Sequence, residues 1–228
     1  MKNILFTEDI VVPYNTARVE HLKLLNLPLK NKTILETGCG GSGSLTKVLH
    51  SYEPYSITLN DVRYENIILL LLNNISNNLY SIKDFNNWDL NNLDNVSEKF
   101  DIIFSYGTLY HLHDPENFIK NSSRMCNDFI IIETIVNKNN DESCISVQEN
   151  SNANNQSFTN MGSRPSRLYV LKTLSKYFKY AFICNEGPKH NDFIKDWNNI
   201  THDGDCRCIF LGCHNINNID LTYWSSTI

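Results

Sequence analysis

Acids at strand ends, glycines in a tight turn and histidines in loops are the residues of this sequence placed to do chemistry. In "TILETGCGGSGSLTKVLH", from Thr33 to His50, Glu36 stands two residues before Gly38, and Gly40 and Gly43 follow. Glycine lets a backbone approach a ligand closely and accepts dihedrals that other residues resist. The spacing satisfies G-x-G-x-x-G, which in a dinucleotide site aims a helix N-terminus at a pyrophosphate. Glu36 would repel a pyrophosphate and suits a cationic ligand, such as one carrying a sulfonium and an ammonium. Asp61 ends "YSITLND", where a carboxylate can accept both hydroxyls of a ribose. His111, after "FDIIFSYG", and His190, in "PKHNDF", are candidates for a general base working near neutrality. Glu133, at the end of "DFIIIETIV", is a third.

These residues need a scaffold, and the chain spells one out. "KTILET", "YSITLND", a weaker "YSIKDFNNWDL", "FDIIFSYG", "DFIIIETIV", "YAFIC" and "RCIFLGC" read as strands. Between them, "SLTKVLHSY", "RYENIILLLLNNI", the run after Asp114 with Pro115 at its first position, and "RPSRLYVLKTLSKYF" read as helices. An N-terminal helix is expected over about 14–27, burying Val19, Leu22, Leu24 and Leu25. Strands that are continuously apolar and alternate with helices predict a single α/β domain: a doubly wound, mostly parallel seven-stranded sheet with helices on both faces. Ligands then bind beyond the carboxyl ends of the strands. A long polar insertion over about 135–164 interrupts the pattern, and such loops are functional or disordered.

Composition narrows the classes. The 228 residues are 41% hydrophobic and 20% charged, which suits one globular domain. The longest apolar run, "NIILLLL", falls far short of the ~18 residues of a membrane span. The N-terminus does not read as a signal peptide, so a cytoplasmic protein is expected. A net charge of −5 with scattered Lys and Arg argues against nucleic acid as a partner. Seven cysteines in no paired pattern read as free thiols. The "CRCIFLGCH" cluster has one residue where a zinc site wants two between thiolates, so it reads as a buried strand and no metal site is expected. Abundant asparagine, as in "NNISNNLYSIKDFNNWDLNNLDN", reflects an AT-rich coding sequence rather than a sticky tract.

"ILETGCGGSG", "ITLNDVRYENI", "NWDL" and "FDIIFSYGTLYHLHDP" resemble, in order and spacing, the successive cofactor motifs of class I S-adenosylmethionine-dependent methyltransferases. The resemblance runs from about Thr33 to Thr134, and "GTLYHLHDP" is similar to a G-x-L-Y-H-L-x-x-P subgroup. It implies S-adenosylmethionine as cofactor. Glu36, Gly38, Cys39, Gly40, Ser42 and Gly43 would hold its methionine part, Asp61 the ribose, and Val62, Trp88, Asp89 and Leu90 the adenine. Ser105 and Tyr106 would lie near the transferred methyl. The family's third glycine falls where Ser42 stands, a departure that reshapes the turn. Arg18 could pair with the methionine carboxylate, or lie on a solvated helix face; His21 beside it could close over the site.

"GSRPSR" and "PKHNDFIKDW" resemble C-terminal motifs of a small-molecule or glycan branch of that family. The implied acceptor is a small molecule or glycan, methylated on oxygen, with Tyr110, Glu149, Arg164 and Arg167 around it and His111, His190 or Glu133 as base. Carboxylates and arginines suit a polyhydroxylated or anionic acceptor better than a flat apolar one. Three other readings compete: a tRNA-modifying transferase, a non-catalytic binding module on the same fold, and a nicotinamide-dependent reductase that meets only the bare glycine pattern. The oligomeric state is left open.

Overall fold

The structure, a computed structural model, describes residues 8–73, 75, 79–85 and 99–227. Helix α1 (Glu8–Leu24) leads into β1 (Thr33–Thr37), α2 (Ser44–His50), β2 (Ser56–Asn60), α3 (Tyr64–Leu72) and β3 (Leu79–Ser81). Then come β4 (Phe100–Tyr106), a 3₁₀ turn (Leu109–His111), α4 (Pro115–Met125) and β5 (Cys126–Val136). A hairpin of β6 (Cys144–Gln148) and β7 (Met161–Pro165) precedes α5 (Arg167–Tyr177), β8 (Tyr180–Cys184), β9 (Cys206–Cys213) and the two-residue β10 (Trp224–Ser225).

The main sheet has eight strands in the order β10-β8-β9-β5-β4-β1-β2-β3. The block from β3 to β5 is parallel, and β9 returns antiparallel along β5. The seven expected strands are all present; β10 adds a short eighth at the edge. One core layer packs Leu22 of α1, Leu25 just after it, Leu49 of α2 and Leu70 of α3 against Ile34, Ile102, Phe104 and Leu211. The opposite layer packs Phe118 of α4 and Val170 and Leu174 of α5 against Ile103, Ile130 and Phe210. Helices on both faces explain why neighbours such as Ile102 and Ile103 are both fully buried. Cys206 and Cys208 belong to the second layer.

Three sequence expectations change. Leu24 is exposed at 56%, because the buried side of α1 is shared by Ala17, Arg18, His21 and Leu22. The insertion is not a structureless loop: it pairs Cys144 with Pro165 through to Gln148 with Met161. Glu133 does not end β5. It is the last residue paired with β4, at Tyr106, and β5 continues to Val136 against β9 alone. The carboxylate therefore sits where the parallel sheet stops and the antiparallel extension begins.

Candidate active site

Glu36, near the end of β1, is buried and accepts a 2.8 Å hydrogen bond from Thr46 Oγ1 of α2. Burial pushes its pKa up to about 7, against the smaller opposing pulls of Thr46 and Arg18. Gly38 follows at φ 59°, and a Cβ there would lie 2.4 Å from Thr108 Oγ1, which itself donates to Thr37 O. Gly40, at φ 62°, faces open space, and its N–H donates to Asp61 Oδ2 at 3.0 Å. The other oxygen, Oδ1, accepts from Arg63 N at 2.9 Å. Asp61 is thus clamped between the glycine turn and the loop after β2, beside half-buried Val62. The half-buried Cys39 donates its N–H to Asn60 O.

Gly43 serves packing: a Cβ would fall 1.8 Å from Ile75 Cδ1. Ser42, exposed, accepts from Ser44 at the start of α2, so the departure at this position is absorbed by the helix entry. At the end of β4, Ser105 Oγ and Tyr106 OH are buried and have no hydrogen-bond partner among the described residues. Trp88, Asp89 and Leu90 lie outside the described residues.

Glu133 is fully buried and held from three sides. Arg18 Nη2 donates at 2.8 Å, Arg207 Nη1 at 2.9 Å and Tyr14 OH at 3.1 Å. Burial would raise its pKa, but the two guanidiniums win and hold it below the usual carboxylate range. Such a carboxylate is spent on its partners and is poorly placed to collect a proton. Arg18 is accordingly not on a solvated face. His21 Nε2 lies against Glu186 O, in the loop that follows β8.

His111, in the 3₁₀ turn after β4, meets the hairpin. Its Nδ1 is 2.6 Å from Glu149 Oε2. Glu149 also accepts from Ser157 N at 2.7 Å and from Arg164 Nη1 at 3.2 Å, and these partners outweigh burial to hold its pKa low. Arg164 further donates to Tyr110 O. Gly162 permits the approach, since a Cβ there would lie 2.6 Å from both Glu149 Oε1 and Tyr110 O. An ionised carboxylate only accepts, so Nδ1 carries the hydrogen and Nε2 of a neutral ring is left with its lone pair.

A methyltransferase domain model matches residues 14–181, from α1 through β8. The chain belongs to the methyltransferase domain family. S-adenosylmethionine is the cofactor of this domain. No curated protein matches the methyltransferase. Among solved structures it is similar to the N-terminal domain of EvdMO1 in the presence of S-adenosylhomocysteine and D-fucose, with TM-score 0.64 and 18% identity over 87% of this chain and 82% of that one. It is also similar to magnesium protoporphyrin IX methyltransferase (ChlM) from Synechocystis PCC 6803 with bound S-adenosylmethionine, at TM-score 0.58 and 13% identity over 91% and 83%. A methyltransferase from Mesorhizobium loti aligns at TM-score 0.60 and 12% identity over 86% and 97%.

The residues of the methyltransferase fit that cofactor. The left-handed turn at Gly38 and Gly40, the fixed Asp61 carboxylate, and the orphaned hydroxyls of Ser105 and Tyr106 all lie at the carboxyl ends of β1, β2 and β4. Sequence reasoning passed over Tyr14, which opens the predicted first helix, and Arg207, inside an apolar strand. A charged residue between two buried cysteines was the available signal for Arg207. Its guanidinium lies about 5 Å from the rings of both Tyr14 (5.1 Å) and Tyr110 (5.0 Å). His190 packs edge-on to Tyr14 at 5.3 Å, and its Nδ1 faces Asp192. Arg167 is apart from His111: it lies over Trp197 and bonds Asn140. Among the described residues no helix is long and apolar enough to cross a membrane.

Proposed function

We propose that the methyltransferase methylates a hydroxyl of a sugar or similar polyhydroxylated small molecule, with His111 as general base. The observation that carries this is the 2.6 Å contact between His111 Nδ1 and Glu149 Oε2. Methylation of an alcohol requires a proton to leave as the new bond forms, and a base oriented by a carboxylate serves that step. S-adenosylmethionine supplies a methyl already activated on a sulfonium, so the chain has to align the acceptor, exclude water and take the proton.

In this reading Glu36 and the turn from Gly38 to Gly43, with Cys39 and Ser42, receive the methionine part; Asp61 takes the ribose hydroxyls. Val62, with Trp88, Asp89 and Leu90, borders the adenine. Ser105 and Tyr106 face the methionine end. Arg18 would draw the methionine carboxylate towards the side where it already neutralises Glu133. His111 Nε2 accepts the hydroxyl proton, Glu149 steadies the resulting imidazolium, and Tyr110 and Arg164 frame the acceptor. His190, beside Tyr14, is the second candidate base, while Glu133, held by two arginines, is set aside as a base. The presence of D-fucose with the EvdMO1 domain is in keeping with a sugar acceptor.

The test incubates the methyltransferase with S-adenosylmethionine and panels of sugars, amines and carboxylic acids, following S-adenosylhomocysteine release and mapping the methyl by NMR. An O-methyl sugar is expected. Turnover with amines or acids alone would overturn the reading.

A further inference from the structure

Where β8 ends, β9 loses its outer neighbour: the pairing runs only from Tyr180 with Cys213 to Ile183 with Phe210. Beyond that point lies a cavity of about 170 Å³, lined among others by Arg167, Phe193, Lys195, Trp197, Arg207 and Cys208. One water occupies a share of about 30 Å³ in the liquid, so this space has room for a substituent and not only for solvent.

Arg167 is the anomaly. It is 8% exposed, and its guanidinium lies flat enough on Trp197 to put Cζ 4.0 Å from the ring centroid. Nη2 donates to the neutral Asn140 Oδ1 at 3.0 Å, and Nε is buried without an acceptor. Among the described residues no carboxylate pairs with it; its one electrostatic neighbour is the Cys208 thiol, and burial holds its pKa below the ordinary arginine range. Every other buried guanidinium at this end of the sheet has an acid: Arg18 and Arg207 share Glu133. A buried cation with no counter-charge is costly, so a position that keeps one has a use for it. Arg207 lines the same cavity with its Nε lacking a hydrogen-bond acceptor, though Asp192 lies 3.7 Å away. Lys195 adds a third cationic side chain to the wall.

We propose that this cavity is an oxyanion subsite, and that the acceptor carries a phosphate or carboxylate held between Arg167 and Arg207. Planar guanidinium forks match the oxygens of such groups, and Trp197 packs against one of them. Arg207 also connects the subsite to the chemistry: its Nη2 is 3.5 Å from Tyr110 OH, and Tyr110 adjoins His111. An acceptor anchored by its anionic end would run past Arg207 towards the base. The position of the acceptor rests on the function proposed above; the existence of the subsite does not.

Calorimetry on the full chain saturated with S-adenosylhomocysteine tests it, at matched ionic strength, with inorganic phosphate, acetate, glucose and glucose 1-phosphate as probes. Phosphate or acetate should bind saturably, and glucose 1-phosphate at least tenfold tighter than glucose. Arg167→Met should weaken oxyanion binding by about tenfold to a hundredfold and abolish the preference for the phosphorylated sugar. Arg167→Lys, which keeps the charge and loses the fork, should fall between, and covers the case in which the methionine variant fails to fold. S-adenosylhomocysteine affinity should be the same in all three proteins. Equal oxyanion binding in wild type and either folded variant, or none in wild type, would overturn the subsite. Loss of S-adenosylhomocysteine binding in wild type with phosphate still bound would instead count against the cofactor roles and leave the subsite standing.

Discussion

His111 and Glu149 lie 38 residues apart and meet at 2.6 Å, one from the turn after β4 and the other from the hairpin that follows β5. Neither belongs to the glycine turn, yet their contact sets the geometry on which the proposed proton transfer depends. Glu149 is in turn fixed by Ser157 N and Arg164. The imidazole is therefore oriented through its Nδ1 before any acceptor arrives.

If His111 is the base, His111→Ala should lower turnover by about 10²–10⁴-fold while S-adenosylhomocysteine still binds. Glu149→Gln, which leaves the shape but removes the charge, should lose turnover by a smaller factor with cofactor affinity unchanged. His190→Ala should then be nearly silent. Steady-state rates alongside calorimetry decide this, and a large loss in His190→Ala alone would transfer the role.

Asp61→Ala should weaken S-adenosylhomocysteine binding by roughly tenfold to a hundredfold, since charged hydrogen bonds contribute about 1.5–3 kcal/mol. Because Asp61 also accepts from Gly40 N and Arg63 N, the variant should lose some thermal stability as well. Unchanged affinity measured by calorimetry would remove Asp61 from the ribose site.

Glu36 predicts a pH dependence. Its folded pKa of about 7 is above the ordinary 4.5, so the folded state holds the extra proton. Its contribution to stability is fully present below the unfolded value and is lost as pH rises through about 7. Urea unfolding across that window should show the decline, and Glu36→Gln should flatten it. A cationic ligand favours the ionised form, so binding should release protons near neutrality, detected as a buffer-dependent calorimetric enthalpy.

Glu133→Ala should destabilise the fold by about 3–5 kcal/mol, because it leaves Arg18 and Arg207 buried without their shared carboxylate. Equilibrium denaturation reads this directly. A loss under about 1 kcal/mol would mean that water replaces the carboxylate freely.

The parts of this molecule that were legible in the sequence are those whose constraint is local. Ile130, Ile131 and Ile132 are buried on both faces of one strand, and an unbroken apolar run announces that. Gly38 and Gly40 take positive φ in a tight turn, which a glycine pattern also announces. Pro115 opens α4 as read, and Asp114 ahead of it caps the helix by accepting from Asn117 N. The hairpin was hidden because β6 is almost wholly exposed, and its short alternation of Ile145 and Val147 with Ser146 and Gln148 is set in a long polar stretch. The meeting of Arg18, Arg207 and Glu133 was hidden because the three lie in segments far apart in the chain; only the register of β5 against β9 brings Glu133 beside Ile209 and near Arg207. Leu24 was misplaced because buried polar residues, Arg18 and His21, occupy the side of α1 that apolar residues were expected to fill.

Arg63 joins two parts of the site that are far apart in sequence. Its backbone N–H holds Asp61, while its Nη2 donates to Ser151 O at 2.8 Å and Gln156 O at 3.3 Å in the hairpin turn. Gln156 precedes Ser157, whose N–H holds Glu149, which holds His111. A single residue thus ties Asp61, the proposed ribose carboxylate, to the turn that orients Glu149 and His111. Whatever coupling these contacts carry between the two ends is reciprocal, acting by the same factor in both directions.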